Sequence, residues 1–332
     1  MAEAPAISVA LCTRNGARFL EEQVRSICLQ SLAPCEIVLS DDASSDDSVS
    51  LVRRTVAQCR SECPGLDLDL RVFVNRPALG VTKNFEQAAA ACRGELIALC
   101  DQDDAWVPDK LRRIADAFAA QPGLLLVHSD ARLIDAGGAP LGGTLLQSLG
   151  TARDQLERIH GGQALSVYLR YNPVAGATAA FRRALLDPAR PFPAEWVHDE
   201  WLALIAAALG EVDVIEAPLI DYRQHGGNQI GAGRNSFAQN VRKALASRGE
   251  LHATRALKAE LLLARLLSFG ARVDPRCIEQ VRGKVAHQRA CARLPAARLA
   301  RLGPVLREAV TGRYGLYGRG VIDIVRNLVE AA

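Results

Sequence analysis

Asp101, Asp103 and Asp104 place three carboxylates within four residues, interrupted only by Gln102. Like charges a few ångströms apart repel, and a cation between them removes that cost. Carboxylate oxygens are hard donors, so the ion would be Mn²⁺ or Mg²⁺, which keeps coordination positions open for a substrate's phosphates. A helix N-terminus also favours Asp, through capping and the helix dipole; that accounts for one or two of the three but not for the cluster. His225, in YRQHGGN, could supply an imidazole to the same ion or a donor to a diphosphate.

A second acidic group lies in His198-Asp199-Glu200, which follows Trp196 and opens a helical pattern. The helix dipole stabilises acids in a first turn without any function. The functional reading makes Asp199 a general base that takes a proton from an attacking acceptor hydroxyl. Trp196 and Trp201 flank it and offer rings on which the apolar face of an acceptor sugar can stack. Asp41-Asp42, before Ala-Ser-Ser-Asp, suits an ordinary capped turn between strand and helix. A buried carboxylate there could instead accept a hydrogen bond from the imide N–H of uracil or thymine.

These groups need elements to bring them together. From Ala6 to Val127 short β-branched or apolar runs alternate with longer helical patterns, the pattern of a parallel sheet covered by helices. The expected strands are AISVALC, CEIVLSDD, LDLRVFVN, ELIALC and LLLVHSDARLID. The helices between them run from Arg18 to Gln30, from caps at Ser44-Ser45-Asp46, from Thr82 to Cys92, and from Pro108 to Gln121. In an open parallel sheet ligands bind beyond the carboxyl ends of the strands. Thr13-Arg14-Asn15, Asp41-Asp42, Asn75-Arg76 and Asp101 to Asp104 all fall there, along one edge. Residues 136–162 are rich in Gly and small residues and read as a loop or flap over the site. Beyond them, Gln163 to Arg170 reads as helix, Val174 to Phe181 as extended chain, His198 to Leu209 as helix, and VDVIEAPLIDYRQH as one or two strands. From Ser236 onward two or three amphipathic helices are expected, broken near Gly270 and Gly303-Pro304.

SVALCTRNG, VLSDDASSD, the Asn75 to Asn84 segment, LCDQDDAW and HDEW, in that order, resemble the family 2 glycosyltransferases of the GT-A fold. CDQDDAW together with YRQHGGN looks like the bacterial rhamnosyltransferase-type subgroup. The resemblance covers roughly residues 6–230, and the C-terminal helices match only loosely. It implies an α/β fold with a mostly parallel central sheet flanked by helices and a helical C-terminal extension. It divides the chain into a catalytic domain at 1–232, with donor binding in 1–130 and acceptor binding in 131–232, and a basic helical region at 233–332. Position by position, it implies that Thr13, Asn15 and Asn84 line the nucleotide pocket and that Asp42 reads the base. Asp101 would contact the ribose with Gln102 beside it, Asp103 would hold the metal at the diphosphate, and Asp104 would support that ion. Asp199 would be the base of an inverting displacement. Gln102 departs from the family's aspartate motif and cannot ligate as an anion, which leaves more of the metal binding to Asp103. Cys12 and Arg14 also replace residues more often seen beside the first strand.

The implied reaction moves a sugar, L-rhamnose from dTDP-rhamnose by the subgroup resemblance, onto a hydroxyl of a cell-surface glycan or lipid-linked acceptor. The rival from another class is a catalytically silent sugar-nucleotide-binding or membrane-docking scaffold. A nicotinamide dehydrogenase would need a GxGxxG turn after the first strand, where this chain has only Gly16. A sugar nucleotidyltransferase would need a Gly-rich, Lys-bearing loop there, which CTRNGARF lacks.

Composition agrees with a globular protein: 332 residues, 49% hydrophobic and 23% charged. The start of the chain reads as lacking a signal peptide, since MAEAPAISVALCTRNG soon meets Arg14, and the longest apolar helical stretch falls short of a bilayer span. The nine cysteines form no CxxC pair, which fits a reducing, cytoplasmic setting with packing thiols. Charge is polarised: residues 233–332 carry 19 Lys and Arg against 7 Asp and Glu, a net +12, and the rest of the chain is −9. That points to an anionic leaflet at the inner face of the membrane, or a phosphate-bearing acceptor, unless the helices are simply solvated. Nucleic acid is not expected, because the stretch has few aromatics and no recognition motif.

Overall fold

The computed structural model describes residues 5–226 and 248–330. Its first half alternates strand and helix: β1 Ile7–Thr13, α1 Ala17–Cys28, β2 Glu36–Asp41, α2 Ser48–Glu62, β3 Asp69–Val74, α3 Val81–Ala91 and β4 Leu96–Cys100. All of β1, β2 and β4 is buried because helices cover both faces of the sheet. Their side chains alternate between two cores. Ala10, Val38, Ile97 and Leu99 pack on one side with Phe85 of α3, while Val9, Leu11, Ile37 and Leu39 pack on the other with Leu20, Val24 and Ile27 of α1. Those three helix positions, spaced four and three apart, form the stripe that seats α1.

The second half continues with β5 Ala105–Trp106, α4 Lys110–Ala120, β6 Leu124–Ile134, β7 Pro140–Thr144, α5 Leu145–Ser148, α6 Arg153–His160 and α7 Ala164–Arg170. After these come β8 Ala179–Arg182, α8 Leu186–Ala189, α9 His198–Leu209 and β9 Glu211–Arg223. The strand order is β3-β2-β1-β4-β8-β6-β9-β5, with β7 paired to β6. Pairing is parallel from β3 through β4 and between β6 and β9; β8 joins the two halves with antiparallel pairs on both sides.

Residues 136–162 depart from the loop expected of them. They form β7, α5 and α6, with a capping box in which Thr144 Oγ1 accepts from the Gln147 amide while Gln147 Oε1 accepts from the Thr144 amide. Leu145 and Leu146 bury themselves beneath, so apolar anchors organise a Gly-rich stretch with no clear period. Val174 to Phe181 is only partly extended, because a 3₁₀ turn at Gly176–Thr178 precedes β8.

The C-terminal region holds α10 Arg248–Ser268, α11 Pro275–Ala292, α12 Leu302–Val310, α13 Arg313–Tyr317 and α14 Val321–Val329. The expected break near Gly270 is present as a 3₁₀ turn. Gly303-Pro304, expected as a second break, lies in the first turn of α12, where proline's missing N–H costs nothing. Leu262 and Leu266 of α10 and Val281 of α11 join the core containing α9. Among the described residues no helix is long and apolar enough to cross a membrane.

Candidate active site

The carboxyl ends of β1, β2 and β4 open into a cavity of about 490 Å³, closed opposite by the Ala175-Gly176 turn and the first turn of α9. At the end of β2 the chain turns sharply through Ala43, whose φ of 63° costs a non-glycine residue about 1 kcal/mol. That turn lets Asp41 accept from the Ser44 amide at 2.9 Å and points Asp42 into the cavity. Both Asp42 oxygens accept backbone amides, Leu79 at 2.6 Å and Gly80 at 3.0 Å, which fixes the entry to α3. One turn into that helix Asn84 is buried: its Oδ1 accepts from Ser40 Oγ at 2.6 Å and its Nδ2 donates to the Ser40 carbonyl at 2.9 Å.

At the end of β4, Gln102 does something its sequence position did not announce. Its Oε1 accepts from Thr13 Oγ1 at 2.7 Å and from the Arg14 amide at 2.8 Å, tying the β4 end to the β1 end. Gly16 is required beside it, since a Cβ there would run into the Gln102 amide and stand 2.8 Å from Thr13 Oγ1. Asn15, expected in the nucleotide pocket, is instead solvent-exposed outside the cavity wall. It adopts φ 51°, and its Oδ1 accepts from the Ser45 amide at 2.8 Å, so it pins the β1 turn to the β2 turn.

Asp101 and Asp103 line the cavity. Burial, then the charges of Asp103 and Asp199, push the Asp101 carboxyl up to about 7. Asp103 Oδ2 stands 2.8 Å from His225 Nε2, brought there from the chain just beyond β9. Asp104 corrects its expectation as a metal ligand. It is 1% exposed and outside the cavity lining, with Oδ1 accepting from the Arg223 amide at 3.0 Å and Oδ2 without a hydrogen-bond partner among the described residues. Burial and the charges of Asp103 and Asp101 hold its carboxyl well above the usual range, which favours the neutral acid.

Across the cavity Asp199 opens α9. Its Oδ2 accepts from the Gly176 amide at 2.8 Å and its Oδ1 from the Glu200 amide at 2.7 Å. Burial outweighs those bonds and raises the carboxyl to about 6. His198 beside it stacks on Phe85 at 3.9 Å and is 4% exposed, and neither ring nitrogen has a hydrogen-bond partner among the described residues. Burial pushes its imidazole down to about 3, so the ring is neutral.

Among the described residues no group of three His, Cys, Asp or Glu side chains is gathered as a metal cage. Ions such as Mg²⁺ seldom need one: one or two carboxylates plus substrate phosphates suffice. Asp103 and His225 are the residues that would hold such an ion, beside an Asp101 whose ionisation is opposed by burial and then by neighbouring charge.

A family model described as Glycosyl transferase family 2 matches residues 8–187, which takes in the ends of β1, β2 and β4 and the Gly176 turn and stops short of Asp199 and His225. The chain belongs to glycosyltransferase family 2. An uncharacterised glycosyltransferase of Nostoc sp. is 28% identical over 272 residues, covering 81% of this chain and 78% of the relative. Two solved structures share the GT-A fold. S. aureus TarS 1–349 in complex with UDP-GlcNAc has TM-score 0.58 at 16% identity, over 97% of this chain and 81% of that one. The mannosyltransferase PcManGT from Pyrobaculum calidifontis in complex with GDP-Man and Mn²⁺ has TM-score 0.53 at 21% identity, over 100% and 89%.

Two expected acceptor walls in this transferase separate. Trp201 is 0% exposed, a core residue of α9 whose Nε1 donates to the Ala189 carbonyl at 2.7 Å, so no acceptor reaches it. Trp196 is half-buried, with Lys258 over its ring at 4.6 Å, and faces a neighbouring cavity rather than the one at the strand ends. Sequence reasoning passed over Lys110. It is fully buried: Nζ donates to the Ala177 carbonyl at 2.7 Å and sits 3.9 Å from the centre of the Trp106 ring. It thereby couples the segment after Asp104 to the Gly176 turn that holds Asp199. The one available signal was a lysine where an α4 residue should be apolar.

Proposed function

We propose that the protein is a metal-dependent inverting transferase that takes a sugar from a nucleoside diphosphate and places it on an acceptor hydroxyl. The observation that carries this reading is Asp199, held by two backbone amides on the wall opposite Asp101 and Asp103, with its carboxyl at about 6. A base poised near neutral pH, facing carboxylates suited to a cation, separates the two tasks of glycosyl transfer. Asp199 takes the acceptor's proton as its oxygen attacks the anomeric carbon, and the bond to the diphosphate oxygen breaks on the opposite face. A divalent ion held by Asp103 and His225 would supply Lewis-acid stabilisation of the departing diphosphate. The neutral His198 ring and the Gly176 turn close the wall behind Asp199 and limit water, which would otherwise hydrolyse the donor.

Asp42 and Asn84, fixed at the β2 end, form the base pocket in this reading, with Asp101 toward the ribose. The donor is dTDP-L-rhamnose on the subgroup resemblance, and the acceptor a cell-envelope glycan or its lipid-linked precursor. The test is turnover with a panel of UDP-, GDP- and dTDP-sugars, with NMR of the product's anomeric centre. Net inversion with dTDP-rhamnose supports the reading; retained configuration would overturn it, and turnover of another donor alone would replace the sugar.

Peripheral contact with an anionic leaflet belongs to the same proposal. Leu302, Leu306 and Val310 on α12, and Val321, Val325 and Val329 on α14, are exposed at four-residue spacing in a region of net charge +12. Apolar stripes beside cations match a lipid surface. Co-sedimentation with phosphatidylglycerol vesicles, reduced by Val310→Asp and Val325→Asp, would support it; equal recovery of wild type and variants would not.

A further inference from the structure

A second cavity, of about 730 Å³, lies between α7, α9 and the C-terminal helices. Leu149, Tyr171, Asn172 and Glu200 line both this space and the cavity at the strand ends, so the two adjoin at the residue next to Asp199. Its charge is one-sided: among the described residues Arg170, Arg255, Lys258, Lys284, Arg319 and Arg326 face Glu200 and Asp323 alone among carboxylates. Some of these cations are already employed. Lys258 pairs with Glu200 at 3.1 Å, Arg326 with Glu330 at 2.9 Å, and Lys284 Nζ donates to the Leu169 and Tyr317 carbonyls at 2.8 and 2.9 Å. Among the described residues the Arg255 and Arg319 side chains make no salt bridge or hydrogen bond, although the Asp323 charge acts on Arg255 and Asp323 Oδ2 accepts the Arg319 amide at 2.7 Å. Burial, and then the neighbouring Arg255, push the Lys284 ammonium down to about 8 against the opposing pull of Asp323 and Glu200. At the junction with the strand-end cavity, Asn172 Nδ2 is buried without a partner among the described residues, while its Oδ1 accepts from the Val174 amide at 3.0 Å.

We propose that this cavity is the acceptor subsite, and that it holds a phosphate or diphosphate group of the acceptor between Arg255, Arg319 and Lys284. Phosphate oxygens would balance the excess of cations over Glu200 and Asp323, and planar guanidinium groups bind them in pairs. The cavity that would hold this phosphate adjoins the one holding Asp199 at Glu200, so its separation from Asp199 sets how far along the acceptor the receiving hydroxyl lies. The proposal rests on the transferase reading of the adjoining cavity.

The test measures calorimetric binding of inorganic phosphate and of decyl phosphate, below its micelle concentration, to the full chain in EDTA, which removes metal-mediated binding at Asp103. Proteins compared are wild type, Arg255→Glu, Arg319→Glu, the milder Arg255→Gln, and Arg307→Glu, an exposed control outside the cavity. Both probes are expected to bind, with affinity falling roughly tenfold or more in the two charge reversals and unchanged in the control, at equal thermal midpoints. Tighter binding of decyl phosphate than of inorganic phosphate identifies a lipid-linked acceptor; equal binding identifies a soluble phosphate-bearing one. Absence of binding, or equal losses in Arg307→Glu, overturns the proposal. So does a pattern in which the reversals weaken only phosphatidylglycerol-vesicle binding. Donor hydrolysis with Mn²⁺ in the same proteins separates the two readings: retained turnover without probe binding sinks the subsite alone, while probe binding without turnover of any donor sinks the transferase reading.

Discussion

Gly176 donates its backbone N–H to Asp199 Oδ2 at 2.8 Å, so a glycine 23 residues earlier in the chain orients the proposed base. The glycine is required by space: a Cβ on Gly176 would stand 2.7 Å from His198 Nε2 and 3.6 Å from Asp199 Oδ2. Gly176→Ala should therefore shift His198 and Asp199 together. The expected outcome is a loss in kcat of about a hundredfold, the order of effect of a small misplacement. Steady-state kinetics beside a thermal melt checks it, since a collapse in stability of matching size would instead mark a packing defect.

The pH profile follows from Asp199. A base acts only when ionised, and burial raises this carboxyl from its ordinary value to about 6. Activity should be full above that value and fall as pH drops through it, giving kcat/KM an acidic limb near 6 rather than near 4. A profile flat down to pH 5 would remove Asp199 from the role.

Lys110 joins the two walls from beneath. Burial lowers its ammonium to about 8, against the opposing pull of Cys100, Asp104 and Asp101. Lys110→Met would strip the Ala177 carbonyl of its donor at a fully buried position, a cost of about 2 kcal/mol. Urea unfolding reads that cost, and activity should fall as well, because Ala177 adjoins the glycine that holds Asp199.

The two tryptophans, alike in sequence, should diverge. Trp201→Ala empties a core site and should cost about 4 kcal/mol of stability. Trp196→Ala should leave the melt nearly unchanged and raise the acceptor KM, because its ring borders the cationic cavity. Equal destabilisation in both would contradict this division.

What was legible in the sequence was what local pattern controls. The strands β1, β2 and β4 are built on short apolar runs, Val9 to Cys12, Ile37 to Leu39 and Leu96 to Cys100, and polar residues at their carboxyl ends must converge once the sheet is parallel. His198–Leu209 formed the helix its pattern indicated. Burial was harder to read, because it depends on what packs from elsewhere. Trp201 lies four residues inside α9 on a helix buried nearly all round, so periodicity could not tell a core face from a site face. Spacing alone groups Asp104 with its neighbours, yet Asp101, Gln102 and Asp103 line the cavity while Asp104 turns away to accept the Arg223 amide. Asn15 and Gln102 serve as crosslinks between strand ends, roles set by contacts 30 and 89 residues away in the chain. The segment 136–162 gave no period because its order comes from a few buried leucines and a cap.

The most direct measurement is Mn²⁺-dependent release of nucleoside diphosphate from the sugar-nucleotide panel by wild type, Asp103→Ala and Asp199→Asn, with an envelope extract as acceptor. Turnover that needs the ion is expected for wild type. Asp103→Ala should lose it, and Asp199→Asn should fall about a thousandfold while still binding donor. Full turnover in Asp199→Asn, or turnover indifferent to chelation and to Asp103→Ala, would contradict the assignment of base and metal site.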